Sequence, residues 1–362
     1  MKSTTKEDIL QILNATDSEI IHFMAETAKY RENNLITYSK NIFIPLTEIC
    51  RNDCGYCNFK KSPDDPHAII LKTKEEILAD LKEAEKYGCK EALFTFGEDA
   101  DEEEVVRQRL KEFGYSKMGD YVYDICKMTL EKTTLLPHTN GGNFSFDDLK
   151  KLKEVNASMG LMLENSSKRL MELPAHNKSP GKNPDLRIET IENAGKLKIP
   201  YTTGILIGIG ETKEEIADSL LTIKDLYDNY GHIQEVIIQN FTPIPGIEME
   251  SWPEPSFLDM IRTVIAGTLI FKDTDVSIQV PPNLNNDTAQ IFLLCGADDW
   301  GGVSPVSPDY VNITSPWPGI DELKKLTEDA GFELIERLCV YDKYINKEWL
   351  TDTVLESISN LS

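Results

Sequence analysis

Three cysteines stand close together in the segment Cys50-Arg-Asn-Asp-Cys54-Gly-Tyr-Cys57. A C-x₃-C-x₂-C spacing lets three thiolates each bind one iron of a cubic iron-sulfur cluster. Because no fourth cysteine follows nearby, one iron would stay open to a substrate or cofactor. The spacing therefore predicts a 4Fe-4S cluster that is bound by Cys50, Cys54 and Cys57 and keeps an open iron.

A structural zinc site is the alternative interpretation of this segment. Closed zinc sites need four nitrogen or sulfur ligands, so a histidine or a distant cysteine would have to complete the set. None of the five histidines lies at a C-x₂-H or H-x₃-H spacing from the three cysteines. A zinc-binding module without catalysis stays open as an alternative. The other cysteines stand singly and are predicted to be mostly inert and buried: Cys89, Cys126, Cys295 and Cys339.

Composition limits the partners and the compartment. The 38 basic and 61 acidic residues give a net charge of −23, which disfavours binding to nucleic acid and to anionic membrane surfaces. The chain has no apolar stretch of about 18 residues, and its N-terminus lacks the apolar core of a signal peptide. We therefore expect a cytoplasmic protein with reduced thiols.

Short apolar runs alternate with amphipathic stretches and predict eight strand-then-helix units. Capping boxes begin two of the helices, at Thr73 with Glu76 and at Thr212 with Glu215. This succession predicts an α/β protein with a parallel (β/α)8 TIM-type barrel over residues 41–300. Residues 1–40 would form a helical N-terminal extension, and 301–362 a C-terminal extension that packs on the barrel. The predicted strands are 41–46, 91–96, 133–138, 157–163, 201–207, 235–241, 276–280 and 297–300.

Polar or glycine-rich residues follow most of the predicted strands. In a parallel barrel the catalytic groups collect at these strand ends, on the face that the cysteine segment also marks. Loops are commonly polar, so an unrelated set of surface loops is the alternative. The candidate residues are Gly97, Glu98, His138, Asn140, Glu164, Gly208, Ile209, Asn240, Gln279, Asp298 and Asp299.

The cysteine segment, with Tyr56 just before its last cysteine, resembles the cluster-binding signature of radical S-adenosylmethionine (SAM) enzymes. The resemblance implies that the methionyl group of SAM chelates the open iron. Phe96-Gly97-Glu98 resembles the glycine-glycine-glutamate motif of these enzymes, with Phe96 in place of the first glycine. The resemblance also implies that Glu98 supports the methionyl ammonium and that Arg187 pairs with the SAM carboxylate.

Two later segments extend this resemblance. Glu164 matches the carboxylate that accepts hydrogen bonds from the ribose hydroxyls of SAM. The run 204–211, which contains Gly208 and Ile209, is similar to the segment that packs along adenine. When reduced, the cluster of such enzymes cleaves SAM to methionine and a 5′-deoxyadenosyl radical, which abstracts hydrogen from the substrate.

Within this superfamily the segments 136–142, 160–165 and 296–306 resemble the CofG family of deazaflavin-forming enzymes. The resemblance implies an ammonia-releasing lyase. Its substrate would be the tyrosine-diaminouracil conjugate 5-amino-5-(4-hydroxybenzyl)-6-(D-ribitylimino)-5,6-dihydrouracil, supplied by a CofH partner, with electrons from a low-potential donor. Under this interpretation the candidates for proton transfer are His138, Asp298 and Asp299, and those for substrate binding are Asn140, Asn240 and Gln279.

Other functions remain open at this stage. A biotin-synthase-like or hydrogenase-maturase-like radical SAM enzyme would share the barrel and the cysteine segment. A biotin synthase would also need cysteines on its inner strands for a second cluster, and predicted strands three to seven contain none. An interaction protein that binds a basic partner through its acidic surface is a further alternative.

Overall fold

Eight parallel strands form a closed ring in the computed structural model, which describes residues 4–361. The long first strand closes the ring, because it pairs with β2 along one part and with β8 along another. A ninth strand adds to the N-terminal half of β1. The strands are β1 (Leu35–Thr47), β2 (Glu91–Phe96), β3 (Leu136–Asn140), β4 (Ser158–Gly160), β5 (Tyr201–Ile207), β6 (Ile233–Asn240), β7 (Ser277–Gln279), β8 (Asp299–Val303) and β9 (Glu333–Arg337). The predicted (β/α)8 TIM-type barrel is confirmed.

Helices surround this ring. Both predicted capping boxes are present, since Thr73 and Thr212 each accept a hydrogen bond from the backbone N–H of the glutamate three positions on. The helices are α1 (Lys6–Leu13), α2 (Asp17–Thr27), α3 (Lys74–Lys86), α4 (Glu104–Glu112), α5 (Met118–Lys132), α6 (Phe146–Leu152), α7 (Pro184–Lys196), α8 (Lys213–Tyr230), α9 (Phe257–Phe271), α10 (Ala289–Leu294), α11 (Ile320–Asp329) and α12 (Asp352–Ser359). None of these helices is both long enough and apolar enough to cross a bilayer.

Several strand boundaries differ from the predicted ones. β3 begins at Leu136 rather than at 133, because its pairing with β2 starts where Leu136 meets Glu91. β8 extends through Gly301 and Gly302 to Val303, and glycines are poor strand signals in a sequence. β9 was not predicted at all. The domain limits 1–40, 41–300 and 301–362 stay predictions, although β1 begins at Leu35 and β8 ends at Val303.

The interior of the ring is polar. Successive residues of a strand point to opposite faces, so alternate residues line the inside. The apolar layers that usually fill such a barrel are largely replaced here by polar side chains around a cavity of about 350 Å³. Strand residues at this cavity include Asn41, Phe43, Glu91, Leu93, Thr95, His138, Asn140, Thr202, Glu235, Ile237, Gln239 and Gln279.

Candidate active site

The cysteine loop follows directly after β1, at the carboxyl end of the barrel. Cys50, Cys54 and Cys57 are free thiols and all line the cavity. Burial raises the pKa of Cys50 to about 12, so iron would have to displace its proton on binding. In residues 4–361 no three His, Cys, Asp or Glu side chains are arranged as ligands of one metal ion. Three thiols on one loop are the donor set that a 4Fe-4S cluster with an open iron requires.

Two glycines let the loop pack closely against its neighbours. A Cβ atom on Gly97 would lie 1.8 Å from the carbonyl oxygen of Ile49, just before Cys50. A Cβ atom on Gly55 would lie 2.4 Å from the carbonyl oxygen of Pro174. The backbone N–H of Arg51 also donates to the carbonyl of Glu98 at 3.0 Å. Gly97, predicted as a SAM contact, therefore also positions the cysteine loop.

Glu98 and Arg187 form a buried ion pair beside the loop. Arg187 Nη1 lies 3.0 Å from Glu98 Oε2, and both side chains are buried. Asn143 donates to the other carboxylate oxygen at 2.7 Å. Arg187 Nε donates to the carbonyl of Met162 at 2.7 Å, whereas its Nη2 has no hydrogen-bond partner within the described chain. One guanidinium nitrogen is thus available to a ligand carboxylate.

A second ion pair joins Glu164 to Lys182. Lys182 Nζ lies 2.6 Å from Glu164 Oε1 and 5.9 Å from the centre of the Tyr56 ring. The Tyr56 hydroxyl is hydrogen-bonded to His176 Nε2 at 3.1 Å. Glu164 has a φ of 63°, an unusual backbone conformation for a residue other than glycine. Its second oxygen, Oε2, has no partner in residues 4–361 and can accept a hydrogen bond.

The structure brings most of the predicted site residues to this single cavity. His138, Asn140, Asn240 and Gln279 line it together with the residues described above. His138 Nδ1 is hydrogen-bonded to Ser158 Oγ at 2.7 Å, and burial lowers its pKa to about 3. The ring is therefore neutral at pH 7, and no donor or acceptor in the described chain pairs with its Nε2.

Four predicted residues do not line the cavity. Asp299 is buried, ion-paired to Arg337 at 2.5 Å, and Asp298 accepts from the backbone N–H of Ile278 at 2.8 Å. The two aspartates thus support the strand ends and not the cavity surface. Gly208 and Ile209 donate their backbone N–H groups to Glu211. Of this segment, Leu206 reaches the cavity instead.

Sequence reasoning missed several polar residues at the cavity. Glu91 and Glu235 occupy inward positions of predicted strands, so the two-residue alternation of those strands was a usable signal. Burial raises the pKa of Glu235 to about 8 although Arg337 lies beside it. Lys182 and Arg337 carried no such signal, because Lys182 ends a short, unpredicted 3-10 helix (Pro180–Lys182) and Arg337 lies in the unpredicted β9.

The chain is similar to a known family and to named proteins within it. The family model described as the radical SAM superfamily matches residues 44–223. A 7,8-didemethyl-8-hydroxy-5-deazariboflavin synthase of Methanobrevibacter smithii is 80% identical over 339 residues, 94% of this chain and 100% of that protein. The synthase of the same name from Methanocaldococcus jannaschii is 54% identical over 355 residues, 98% of this chain and 97% of that protein.

Solved structures share the fold at low identity. The FeFe-hydrogenase maturase HydG from Carboxydothermus hydrogenoformans has a TM-score of 0.75 and 16% identity, covering 99% of this chain and 81% of that one. Methylornithine synthase (PylB) has a TM-score of 0.72 and 18% identity, covering 92% and 95% of the two chains. These structures show the fold alone, whereas the close relatives define the family. The chain belongs to the radical SAM superfamily and, within it, to the family of 7,8-didemethyl-8-hydroxy-5-deazariboflavin (FO) synthases.

Proposed function

We propose that this chain converts the tyrosine-diaminouracil conjugate into FO with release of ammonia, as a radical SAM carbon-nitrogen lyase. The observation that carries the proposal is that the three thiols of the cysteine loop and the polar barrel interior line one cavity. A cofactor at the loop and a substrate inside the barrel would therefore face each other. Close relatives named FO synthase support the choice of reaction.

Cys50, Cys54 and Cys57 are the proposed ligands of a 4Fe-4S cluster. When bound and reduced, the cluster supplies the electron that cleaves SAM into methionine and the hydrogen-abstracting 5′-deoxyadenosyl radical. The free Nη2 atom of Arg187 is suited to the SAM carboxylate, and Glu98, which Arg187 and Asn143 hold in place, is suited to its ammonium.

The ribose and adenine of SAM would lie along β4 and β5. Glu164 keeps Oε2 free for a ribose hydroxyl while Lys182 fixes its other oxygen. Tyr56 lines the same part of the cavity, with its hydroxyl fixed by His176. Gly208 and Ile209 are not proposed as adenine contacts, because neither borders the cavity and both donate their backbone N–H groups to Glu211.

Further residues are proposed for the substrate. Neutral His138 has an unpartnered Nε2 that can exchange a proton during ring closure. Asn140, Asn240 and Gln279 offer amide groups to the conjugate. Asp298 and Asp299 are not proposed as proton carriers, since neither borders the cavity. A CofH partner would supply the conjugate and a low-potential donor the electron, in the cytoplasm.

Anaerobic reconstitution with iron and sulfide tests this proposal. We expect 5′-deoxyadenosine when SAM and a strong reductant are added, and fluorescent deazaflavin only when the conjugate is present as well. Ammonia should appear together with the deazaflavin. Deoxyadenosine without deazaflavin would leave only the superfamily chemistry. Zinc in place of iron in anaerobically purified protein would overturn the cluster assignment.

A further inference from the structure

The end of the cavity opposite the cysteine loop is a polar layer, and the proposed function uses only Gln279 from it. We call it the barrel floor and define it by Asn41, Glu91, Glu235, Gln279 and Arg337, all of which line the cavity. Glu91 is the first residue of β2 and pairs in register with Asn41, whereas the cysteine loop begins after Thr47. At ~3.3 Å per residue, these six positions separate floor and loop by about 20 Å along β1.

The C-terminal extension completes this floor. Arg337 is the last residue of β9, and its Nη2 lies 3.0 Å from Glu235 Oε1 and 2.8 Å from Asp299 Oδ1. Its Nε and Nη1 are also hydrogen-bonded within the protein. Because each of its three guanidinium nitrogens already donates within the protein, Arg337 is a positioning residue that holds the Glu235 carboxyl at the cavity.

Unpaired amides point to a ligand at the floor. The Asn41 side chain is 1% exposed, and its Oδ1 is buried with no hydrogen-bond partner in the described residues. The Gln279 amide lines the cavity and likewise forms no hydrogen bond with residues 4–361. A buried amide without a partner costs free energy, so a polar ligand or water must satisfy it.

The chemistry of the floor favours a chain of hydroxyls over a flat ring. The floor offers carboxyl oxygens as acceptors and amide groups as both donors and acceptors. Each hydroxyl of a ligand chain can donate one hydrogen bond and accept others, so it can pair with either kind of group. The Glu235 carboxylate accepts from Arg337 at 3.0 Å and supplies acceptor oxygens, and the Gln279 amide supplies a donor. Of the aromatic residues that suit a ring, Phe43 lies two residues beyond Asn41 on β1, toward the cysteine loop, and Phe59, Phe96 and Phe241 lie at the carboxyl ends of the strands or beyond them.

We propose that the barrel floor binds the ribityl chain of the conjugate through Glu235, Gln279, Glu91 and Asn41, with Arg337 as the positioning residue. This inference rests on the proposed function. It orients the substrate, because a ribityl chain at the floor directs the pyrimidine and phenol rings toward the cysteine loop. The floor would then determine specificity for substrates that carry a polyol.

Two substrates and two variants test the inference. The reconstituted full chain is assayed with the conjugate and with an analogue that has a methyl group in place of the ribityl chain. For the unaltered enzyme we expect a KM for the analogue at least about 10-fold higher, the size of one or two lost hydrogen bonds. Gln279→Met and Glu235→Gln should each raise the KM for the conjugate about 10-fold and that for the analogue less than about twofold.

Gln279→Met should affect folding less than Glu235→Gln does, because the Gln279 amide has no hydrogen-bond partner in the described residues. Glu322→Gln, on the exposed face of α11, is the matched control and should change neither KM. Equal rises in KM for both substrates would overturn the inference, and so would an analogue that the unaltered enzyme binds as tightly as the conjugate. Absence of deazaflavin from the unaltered, cluster-loaded enzyme would instead overturn the proposed function, and the inference with it.

Discussion

Buried charges beside the cysteine loop are compensated in pairs. Glu98 with Arg187 and Glu164 with Lys182 each lie within 3.0 Å, and a buried ion without such a partner would be costly. Each pair nevertheless leaves an atom unused, Nη2 of Arg187 and Oε2 of Glu164. The residues are therefore held rigidly and keep binding capacity for a charged or hydroxylated ligand, which is the arrangement that preorganised sites need.

Cys54→Ser should abolish both the iron-sulfur chromophore and SAM cleavage, because a cluster with two thiolate ligands lacks one of its three anchors. The barrel should stay folded, since the loop lies at its rim. Iron and sulfide analysis with an assay of 5′-deoxyadenosine measures the effect. Cys295→Ala, a buried cysteine remote from the loop, is the control and should keep its cluster. Retained cleavage in Cys54→Ser would contradict the ligand assignment.

Glu164→Gln should weaken SAM binding about 10-fold, because a charge-assisted hydrogen bond to a ribose hydroxyl becomes a neutral one. The Lys182 ammonium would also lose its paired charge. Equilibrium binding of SAM to the cluster-loaded protein measures the change. Glu189→Gln, at an exposed position of α7, should bind SAM as the unaltered protein does. An unchanged affinity in Glu164→Gln would remove Glu164 from the proposed SAM site.

At the scale of elements, strand ends position the chemistry. The cysteine loop follows β1, and β2 ends at Phe96, so that Gly97 contacts that loop. Glu235 of β6 and Arg337 of β9 lie at the barrel floor. These contacts join segments that are far apart in the chain. A small change where two elements touch should therefore disturb a cofactor site without disrupting either element.

Gly97→Ala should lower cluster occupancy, because its new Cβ would lie 1.8 Å from the Ile49 carbonyl oxygen and displace the loop. Overpacking of this kind typically costs about 1–3 kcal/mol. Iron content after reconstitution and the urea midpoint measure the two effects. In Gly119→Ala, on α5, the nearest atom to the new Cβ is the Asp148 carboxylate at 3.4 Å, so this control should reconstitute fully. Equal iron in both variants would contradict the packing argument.

On the scale of the whole molecule, the protein buries both histidines and carboxyl groups, and burial shifts their pKa values in opposite directions. Burial lowers the pKa values of His138 to about 3, His176 to about 2 and His232 to about 4. Burial raises the pKa values of Glu235 to about 8 and of Asp298 to about 7. The acids gain protons in the folded state, whereas the histidines resist them, so their contributions to stability oppose each other on acidification.

His232→Gln isolates one of these contributions. The unfolded histidine takes up a proton below about pH 6.5 but the folded one only near pH 4, so His232 destabilises the fold as pH falls between these values. Relative to the unaltered protein, the variant should gain about 2 kcal/mol in free energy of unfolding between pH 7.5 and pH 5. Anaerobic urea unfolding at both pH values measures this gain. Exposed His22→Gln should show no comparable gain, and a pH-independent difference for His232→Gln would contradict burial in the neutral form.

Local patterns in the sequence were sufficient for much of the architecture. The two capping boxes, the alternation of strands and helices, and the cysteine spacing each depend on residues close together in the chain. They predicted the barrel and the face on which the loop lies. Together with the family resemblance they indicated sixteen site residues, of which twelve line the cavity. Several predicted strand limits differ from the observed ones, because pairing partners decide where a strand begins.

The tertiary structure alone decided the contacts between distant segments. Lys182 reaches Glu164, and Arg337 of β9 reaches Glu235 across 102 positions, although neither cation stands out locally. The same pairing of Arg337 with Asp299 places that aspartate outside the cavity. Periodicity and capping are encoded over a few residues, whereas these ion pairs depend on how the closed ring packs against its C-terminal extension.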